Sequence, residues 1–305
     1  MRLLSSLIIV PGNNYFYESI ELAEKLGCKL LEVKHKIFPD GEKYVRILNA
    51  EDINGKTVIV SNTMYPNQND SLIETLMLVN ASLKAGASRV IAFIPYIAYA
   101  RQDKVFLPGE PVTADIVLSM LRETGVSCIY TVDIHSPSIL ERNFKCYENI
   151  LVFNYMVEQV KQFVNDPIIL APDKGALHRA KHVALKQGLE YDYLVKERDR
   201  ETGVIRIKPK ELDIRGRDVI LVDDIISTGG TIAEASRLLI ENGARKVIVC
   251  ASHGLMIGNA IEKIMKSGVH KVILANTLGI KYDIPVIEYV DIIPYVSEIL
   301  SKSLQ

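Results

Sequence analysis

One stretch of the sequence, residues 218–231, decides the fold: it reads Asp-Val-Ile-Leu-Val-Asp-Asp-Ile-Ile-Ser-Thr-Gly-Gly-Thr. Its apolar run, Val219–Val222, predicts a strand buried on both faces, as in a parallel sheet. Apolar residues then recur at three- and four-residue steps from Ile232 to Leu239, which predicts a helix. A strand, a loop of small and hydroxylic residues and a helix form a cradle for an anion, because glycines let the backbone approach a phosphate and the helix N–H groups point at it.

Two acids, Asp223 and Asp224, separate the predicted strand from the loop. Carboxylates repel phosphate, but they suit ribose hydroxyls or a metal ion that itself holds phosphate. The alternative is an ordinary strand-to-helix turn with a capping Thr, and an adjacent acid pair is a poor choice for such a turn. No Gly-Lys-Ser/Thr closes the loop, so it is not a Walker loop. The arrangement resembles the 5-phosphoribosyl-1-pyrophosphate binding motif of phosphoribosyltransferases and of the enzymes that make this diphosphate.

The length and composition of the chain favour two globular domains and exclude several classes of partner. A chain of 305 residues is long enough for two domains of ordinary size. Its net charge of -1 shows no basic excess, so no nucleic-acid partner is predicted. No apolar stretch is long enough to cross a membrane. The apolar N-terminus ends at residues 11–14 without a cleavage-site pattern, so we expect a first strand rather than a signal peptide.

The four cysteines of the chain have no CxxC spacing, and three of them lie in or beside apolar runs. We therefore expect buried free thiols rather than metal ligands or disulfides. This expectation favours an intracellular location, and we predict the cytoplasm. The residues concerned are Cys28, Cys128, Cys146 and Cys250.

Apolar runs of strand length alternate with helical patterns throughout, which predicts parallel sheets covered by helices on both faces. Two pairs of segments also indicate a duplication. Residues 52–60 read like 213–221, an offset of 161 positions, and residues 85–91 read like 242–248, an offset of 157. Asn62 stands in the first copy where the second has Asp223, so only the second copy keeps the acid pair. The duplication predicts domains of residues 1–146 and 147–305, and the last helix can pack back on the first domain.

Charged or polar residues follow several other predicted strands, where ligands bind in α/β sheets. Arg101 offers a fork for phosphate, and Gln102 offers a neutral amide; a solvated polar turn is the alternative. His135 is a candidate Mg²⁺ or nucleotide ligand, although hard cations prefer oxygen, and a structural histidine is equally acceptable. Asp173 is a natural metal carboxylate, with a helix N-cap as its alternative.

Two further segments carry candidate binding groups. Lys196 and Arg198 share one side of an extended segment and could close over a polyphosphate. A solvated hairpin with Thr202-Gly203 as its turn is the alternative, and a catalytic flap can itself be such a hairpin. Residues 38–42 form a turn, in which Phe38 could stack on a base and the two acids could accept from an amino group; a plain turn is the alternative.

Six segments, in this order, together resemble the ribose-phosphate diphosphokinase (phosphoribosyl pyrophosphate synthetase) family along nearly the whole chain. Any one of them is weak except the last, but six in the right order are highly specific. They are Phe38-Pro39-Asp40-Gly41-Glu42, Arg101-Gln102-Asp103, Asp133-Ile134-His135, Pro172-Asp173-Lys174-Gly175, Lys196-Glu197-Arg198, and Asp223-Asp224 through Thr231.

The resemblance implies an α/β fold of two phosphoribosyltransferase-like domains related by duplication, each a mostly parallel sheet with helices on both faces. It implies transfer of the diphosphoryl group of Mg-ATP to the 1-hydroxyl of ribose 5-phosphate, which gives 5-phospho-α-D-ribose 1-diphosphate and AMP for nucleotide biosynthesis. It also implies a homo-oligomer built from dimers, with ATP sites near a subunit interface.

The resemblance further assigns a role to individual residues. The catalytic residues are Lys196 and Arg198. The ATP-binding residues are Phe38, Asp40, Gly41, Glu42, Arg101, Gln102 and Asp103. The residues that bind ribose 5-phosphate are Arg198, Asp223, Asp224, Ser227, Thr228, Gly229, Gly230 and Thr231. The Mg²⁺ ligands are His135 and Asp173.

Two departures from the family pattern bear on these roles. Ser227 stands where many relatives carry Asp, and residues 105–109 are more apolar than in relatives. Two other functions compete with the synthetase: a phosphoribosyltransferase that consumes the same diphosphate, and a regulatory protein that keeps the fold without catalysis. The duplicated architecture counts against the first, and the two cations at Lys196 and Arg198 count against both.

Overall fold

A computed structural model describes residues 6–198, 205–209 and 212–304. Within them the chain forms two compact units: residues 6–150, 277–280 and 293–304 make the first, and residues 151–276 and 281–292 make the second. The domain limits predicted from the sequence stay a prediction. No helix in these ranges is long and apolar enough to span a membrane.

The first unit is built on a parallel sheet. In chain order its elements are β1 (Leu7–Pro11), α1 (Phe16–Leu26), β2 (Lys29–Leu30), β3 (Val33–Ile37), β4 (Lys43–Ile47), β5 (Thr57–Ser61), α2 (Gln68–Lys84), β6 (Arg89–Phe93), α3 (Thr113–Thr124), β7 (Cys128–Val132), α4 (Ser138–Asn143) and β8 (Tyr147–Ile150). The sheet has the strand order β2-β1-β5-β6-β7-β8, and every pairing in it is parallel. Strands β3 and β4 form a separate antiparallel hairpin.

The second unit repeats this plan. Its elements are α5 (Phe153–Lys161), β9 (Pro167–Ala171), α6 (Leu177–Gln187), β10 (Glu190–Arg198), β11 (Ile205–Pro209), β12 (Asp218–Ile226), α7 (Gly230–Glu241), β13 (Lys246–Gly254), α8 (Ala260–Lys266), β14 (Lys271–Ala275) and β15 (Ile287–Val290). The strand order is β11-β10-β9-β12-β13-β14-β15, and only the β10–β11 pairing is antiparallel. The last helix, α9 (Ile293–Ser303), belongs to the first unit and packs on α1.

The two sheets share their six-strand parallel order and also the hydrogen bonds of equivalent turns. Gly55 donates its N–H to the carbonyl of Gly86, and Gly216 donates to that of Gly243, both at 2.8 Å. These four glycines have positive φ angles of 71° and 91° in the first unit and 73° and 94° in the second. The left-handed conformation suits glycine, which has no Cβ to clash. The predicted α/β fold, with two mostly parallel sheets related by duplication, is confirmed.

Asn62 follows the central strand of the first sheet, where the second copy carries its acid pair. Its side chain is fully buried and donates to the Thr75 hydroxyl at 3.0 Å. It also fills the space above Gly12, where an added Cβ would lie 2.1 Å from the Asn62 Cγ. In the first unit this position therefore serves packing.

The hairpin β3–β4 was not predicted from the sequence, which indicated only a turn at residues 38–42. Charged and polar side chains lie between its apolar ones, and among its ten strand residues five are exposed and only Ile47 is buried. An exposed hairpin lacks the buried apolar run that marks a strand of a parallel sheet, so the pattern of the neighbouring sheet strands did not reveal it.

The expectation that all four cysteines are free thiols is wrong, because Cys128 and Cys146 form a disulfide. Strands β7 and β8 pair in parallel with Ile129 opposite Tyr147, which places the two preceding positions side by side, with Cα atoms 4.6 Å apart. That register joins residues 18 apart in sequence, so the spacing of the cysteines along the chain did not reveal it. Cys28 and Cys250 are free.

We expect Cys146→Ser to lower the free energy of unfolding by about 3 kcal/mol, because the disulfide closes a loop of 18 residues and limits the unfolded chain. Denaturant unfolding without reductant measures the loss, and Cys28→Ser is the matched control. The difference from wild type should vanish when both proteins are reduced. An unchanged unfolding midpoint under oxidising conditions would contradict this role of the disulfide.

Candidate active site

The strand predicted from the apolar run Val219–Val222 is longer in the structure. It is β12, which continues through the acid pair to Ile226. Its neighbour β13 is equally long and pairs with it beyond the acids, Asp223 with Ala251 and Ile226 with Gly254. The two acids are therefore fixed by a strand pairing on one side. They lie at the carboxyl end of the sheet, where α/β folds bind ligands.

Asp224 is buried, and a buried arginine pairs with it. The Nη2 of Arg179 lies 3.0 Å from the Asp224 Oδ2, and both side chains are less than a tenth exposed. Arg179 lies on the buried face of α6 beside Ala180 and Val183. A buried carboxylate needs such a partner to remain charged. Sequence reasoning missed Arg179, although a cation within the apolar stripe of a helix was the available signal.

Asp223 differs in charge from its neighbour. Burial, together with the negative charge and hydrogen bonding of Asp224, raises the pKa of Asp223 to about 8, and the nearby Arg179 opposes this shift. The Asp223 Oδ1 also accepts the backbone N–H of Asp224 at 3.0 Å. At neutral pH the Asp223 carboxyl is therefore mostly protonated, and it can both donate to and accept from a sugar hydroxyl.

Hydrogen bonds from a later segment of the chain hold the loop after the acid pair, and part of the loop is open to solvent. The carbonyl of Ser227 accepts the N–H of Ile257 at 2.9 Å, and the carbonyl of Thr228 accepts the Lys263 ammonium at 3.4 Å. Gly229 has a φ of 71°, and a Cβ there would lie 3.1 Å from the carbonyl oxygen of Ala260. A Cβ on Gly230 would meet open space.

The helix α7 begins at Gly230, and its N-cap residue is Gly229, which has no side chain to cap the first turn with a hydrogen bond. Ser227, Thr228, Gly230 and Thr231 are at least partly exposed. The first N–H groups of a helix without such a cap are donors for an anion. The loop therefore has the form of the predicted phosphate cradle.

Asp173 lies at the same edge of the second sheet, just beyond β9, the strand that pairs with β12. Its side chain is exposed, and Oδ1 accepts the N–H of Ala176 at 3.1 Å ahead of helix α6. A carboxylate in this position has its second oxygen available for a cation. The N-cap of α6 is Ala176, so the N-cap alternative for Asp173 is wrong, and its metal role stays a prediction.

Lys196 and Arg198 lie on β10, where β10 extends past β9 and pairs with β11 instead. Their backbone positions are opposite Ile207 and Ile205 in an antiparallel hairpin. The predicted hairpin is confirmed by this pairing, while its turn at Thr202-Gly203 and the side chains of Lys196 and Arg198 lie outside the described residues. Asp173, residues 223–231 and the β10–β11 hairpin all belong to the carboxyl edge of one sheet.

In the first unit, the predicted ATP-binding turn lies at the tip of the hairpin β3–β4. Phe38 donates its N–H to the carbonyl of Glu42 at 2.8 Å, and the Asp40 Oδ1 accepts the Glu42 N–H at 3.1 Å. Gly41 has a φ of 95°, which the turn requires. Residues 38–42 are all exposed, so the Phe38 ring and both acids are accessible to a ligand.

Arg101, Gln102 and Asp103 follow β6, and His135 follows β7, its parallel neighbour. Arg101 and His135 are exposed. Gln102 is held by its backbone carbonyl, which accepts the N–H of Ala114 at 3.3 Å. These residues share one edge of the first sheet. Within the ranges that the structure describes, no cluster of three or more His, Cys, Asp or Glu side chains could by itself hold a metal ion.

Comparison with known proteins gives matches along most of the chain. Residues 7–125 match the family model of the N-terminal domain of ribose phosphate pyrophosphokinase, and residues 153–277 match that of the phosphoribosyl transferase domain. A ribose-phosphate pyrophosphokinase of Aeropyrum pernix is 44% identical over 274 residues, which cover 89% of this chain and 88% of that protein. Its counterpart in Pyrococcus abyssi is 41% identical over 86% of this chain and 90% of that protein.

The fold has a match of similar extent among solved structures. The crystal structure of phosphoribosylpyrophosphate synthetase from Mycobacterium smegmatis has a TM-score of 0.88 at 27% sequence identity. The match covers 98% of this chain and 99% of that chain. Both units therefore have counterparts in a single related protein.

Proposed function

Because the chain belongs to the ribose-phosphate pyrophosphokinase family and is an enzyme of phosphoribosyl pyrophosphate synthesis, we propose that it transfers the diphosphoryl group of ATP to the 1-hydroxyl of ribose 5-phosphate. The products are 5-phospho-α-D-ribose 1-diphosphate and AMP. The observation that carries this proposal is the acid pair Asp223–Asp224 ahead of an open anion loop, at the same sheet edge as the β10–β11 hairpin.

The second unit binds the sugar phosphate in this proposal. The 5-phosphate accepts hydrogen bonds from the N–H groups of residues 227–231, and the protonated Asp223 carboxyl meets the ribose hydroxyls. Asp224 and Arg179 neutralise each other beneath, so the floor of the site adds little net charge against the incoming phosphate. Ser227 supplies an N–H and a hydroxyl where many relatives have Asp, so we expect it to preserve sugar binding.

The transfer itself needs no covalent enzyme intermediate. The 1-hydroxyl oxygen bonds to the β-phosphorus of ATP while the bond from that phosphorus to the oxygen bridging the α-phosphate breaks, and the hydroxyl proton is released. AMP leaves with the bridging oxygen. Negative charge spreads over the phosphoryl oxygens in the transition state, and we assign its stabilisation to Lys196 and Arg198 on the β10–β11 hairpin, with Arg198 also contacting ribose 5-phosphate.

The nucleotide belongs to the first unit in this proposal. Phe38 stacks on the adenine, and Asp40, Gly41 and Glu42 contact its edge, while Arg101, Gln102 and Asp103 hold the phosphates and ribose. Exposure of the hairpin tip supports these roles. We further propose a homo-oligomer built from dimers, in which the ATP site lies near a subunit interface.

We propose Mg²⁺ as the metal, with His135 in the first unit and Asp173 in the second each as a protein ligand for Mg²⁺. The Asp173 carboxylate fits this role, because Mg²⁺ is commonly held by one or two carboxylates together with substrate phosphates and water, and this carboxylate is accessible. When bound, Mg²⁺ neutralises polyphosphate charge and orients the phosphates. We propose the cytoplasm as the location, because ATP and sugar phosphates are intracellular. The Cys128–Cys146 disulfide does not support this location, since disulfides are rare in most cytosolic proteins.

We expect the purified protein, given Mg-ATP and ribose 5-phosphate, to form AMP and phosphoribosyl pyrophosphate in equal amounts. Phosphorus NMR of the reaction measures both products and detects any ADP. Release of ADP, or no turnover, would reject the proposed reaction. Incubation of phosphoribosyl pyrophosphate with purine and pyrimidine bases is the companion assay, since pyrophosphate release there would favour a phosphoribosyltransferase.

A further inference from the structure

The interior of the first unit contains a carboxylate that none of the proposed roles uses. Glu74 lies on α2, on the face buried with Leu72, Thr75 and Leu78, and its side chain is only 3% exposed. A buried carboxylate is unfavourable unless charged or polar partners surround it. The partners of Glu74 therefore show what this charge does in the fold.

Three segments converge on the Glu74 carboxylate. The Lys43 ammonium of β4 lies 2.8 Å from Oε2. The backbone N–H of Asn13, which follows β1, donates to Oε1 at 2.6 Å. His35 of β3 places Nδ1 3.7 Å from Oε1. One side chain thus connects both strands of the hairpin to the helix α2 and to the loop beyond the sheet strand β1.

Lys43 is the counter-charge of Glu74 at neutral pH. Burial lowers the pKa of His35, and Lys43 lowers it too, while Glu74 opposes both. The imidazole is therefore neutral at pH 7 and above. The ion pair that holds the hairpin is Glu74–Lys43, in which the lysine is also largely buried, with 17% of its side chain exposed.

The ion pair lies directly next to the candidate ATP-binding turn. Lys43 follows Glu42, and Glu42 closes the turn by accepting the N–H of Phe38. The Phe38 ring is flanked by the Lys36 ammonium at 4.5 Å and, edge to face, by Tyr44 at 6.0 Å. Lys36 and Tyr44 pair across the hairpin one register step from Lys43. The orientation of the ring therefore follows the orientation of the hairpin.

We propose that Glu74 is a positioning residue for ATP: through Lys43 it fixes the hairpin β3–β4 on α2 and so sets where Phe38 and Glu42 meet the adenine. This inference rests on the proposed function. It concerns a residue that touches neither substrate nor reacting atoms. Loss of the ion pair therefore affects ATP use and leaves the sugar site of the second unit unchanged.

The test compares steady-state constants of the purified full chain. Glu74→Gln keeps an oxygen for the Asn13 N–H and removes the charge, and Lys43→Met removes the partner. Each is expected to raise KM for ATP about 10-fold, with kcat and KM for ribose 5-phosphate within twofold of wild type. The double variant should be no worse than either single one, because all three lose the same interaction. Lys43→Arg, which keeps the charge, should restore KM for ATP.

Asp52→Asn is the matched control, because Asp52 belongs to the same unit and pairs with Lys29 at an exposed site outside the strands of the hairpin. Light scattering of every variant checks that the oligomeric state matches wild type. Equal losses for both substrates, or a KM for ATP that does not change in folded variants, would overturn the positioning role. If Glu74→Gln does not fold, Lys43→Met and Lys43→Arg decide alone. Absence of AMP formation by the wild-type protein would instead reject the proposed function.

Discussion

Lys196→Ala is expected to lower kcat about 1,000-fold while the affinity for ribose 5-phosphate changes little. The reason is that a cation aimed at charge that develops only in the transition state contributes little to binding the ground state. Steady-state assays give kcat, and rapid-quench experiments give the rate constant of the chemical step. Equilibrium binding of ribose 5-phosphate gives the affinity. Comparable losses in both would show that Lys196 is a binding residue instead.

The matched control for this variant is Lys208→Ala. Lys208 lies on β11 of the same hairpin. It pairs with Val195, whereas Lys196 pairs with Ile207. The Lys208→Ala variant removes the same charge from the same hairpin, at a position that has no proposed role. A 1,000-fold loss in Lys208→Ala as well would attribute the effect to the charge of the hairpin as a whole.

Asp223→Asn is expected to lower kcat/KM for ribose 5-phosphate about 10-fold, because the hydrogen bonds of a protonated carboxyl to sugar hydroxyls are neutral and are worth about 1 kcal/mol each. The same variant should be more thermally stable than wild type at pH 8. Asp283→Asn, an exposed acid of the same unit, is the control for loss of one carboxylate. A variant with unchanged kcat/KM would remove Asp223 from the sugar site.

The sign of the stability change follows from the raised pKa of Asp223. The carboxyl keeps its proton up to about pH 8 in the folded protein, whereas the unfolded chain releases it near 3.8. Its contribution to stability is therefore full below pH 3.8 and is lost as the pH rises toward 8. Asparagine does not titrate, so the difference in melting temperature should grow from pH 5 to pH 8. A difference that shrinks over this range would contradict the raised pKa.

Local patterns predicted the architecture and the sugar loop because the physics there is local. The apolar run Val219–Val222 is a buried strand, and the small-residue loop must be open to backbone approach. The equivalent glycines Gly55 and Gly216 were visible as part of the internal similarity because a left-handed turn restricts the residue that can occupy it. These features depend on neighbours in sequence.

Features that depend on register or on distant partners were not predicted. The Cys128–Cys146 disulfide requires the β7–β8 register, and the Arg179–Asp224 pair joins residues 45 apart. Glu74 looks like an ordinary helical acid in the sequence, and only the packing of α2 shows that it is buried. Side-chain roles of this kind need the tertiary contacts that determine burial and charge pairing.

The buried amide at Asn62 makes the divergence of the two copies hard to reverse. An acid there would bury a carboxyl above Gly12, next to the hydroxyl of Thr75. In the second unit the counterpart of Asn62, Asp223, keeps its proton up to about pH 8, and Arg179 balances the charge of the neighbouring Asp224. An acid at position 62 would therefore destabilise the first unit, because this buried position offers a carboxyl far less compensation than the amide now receives.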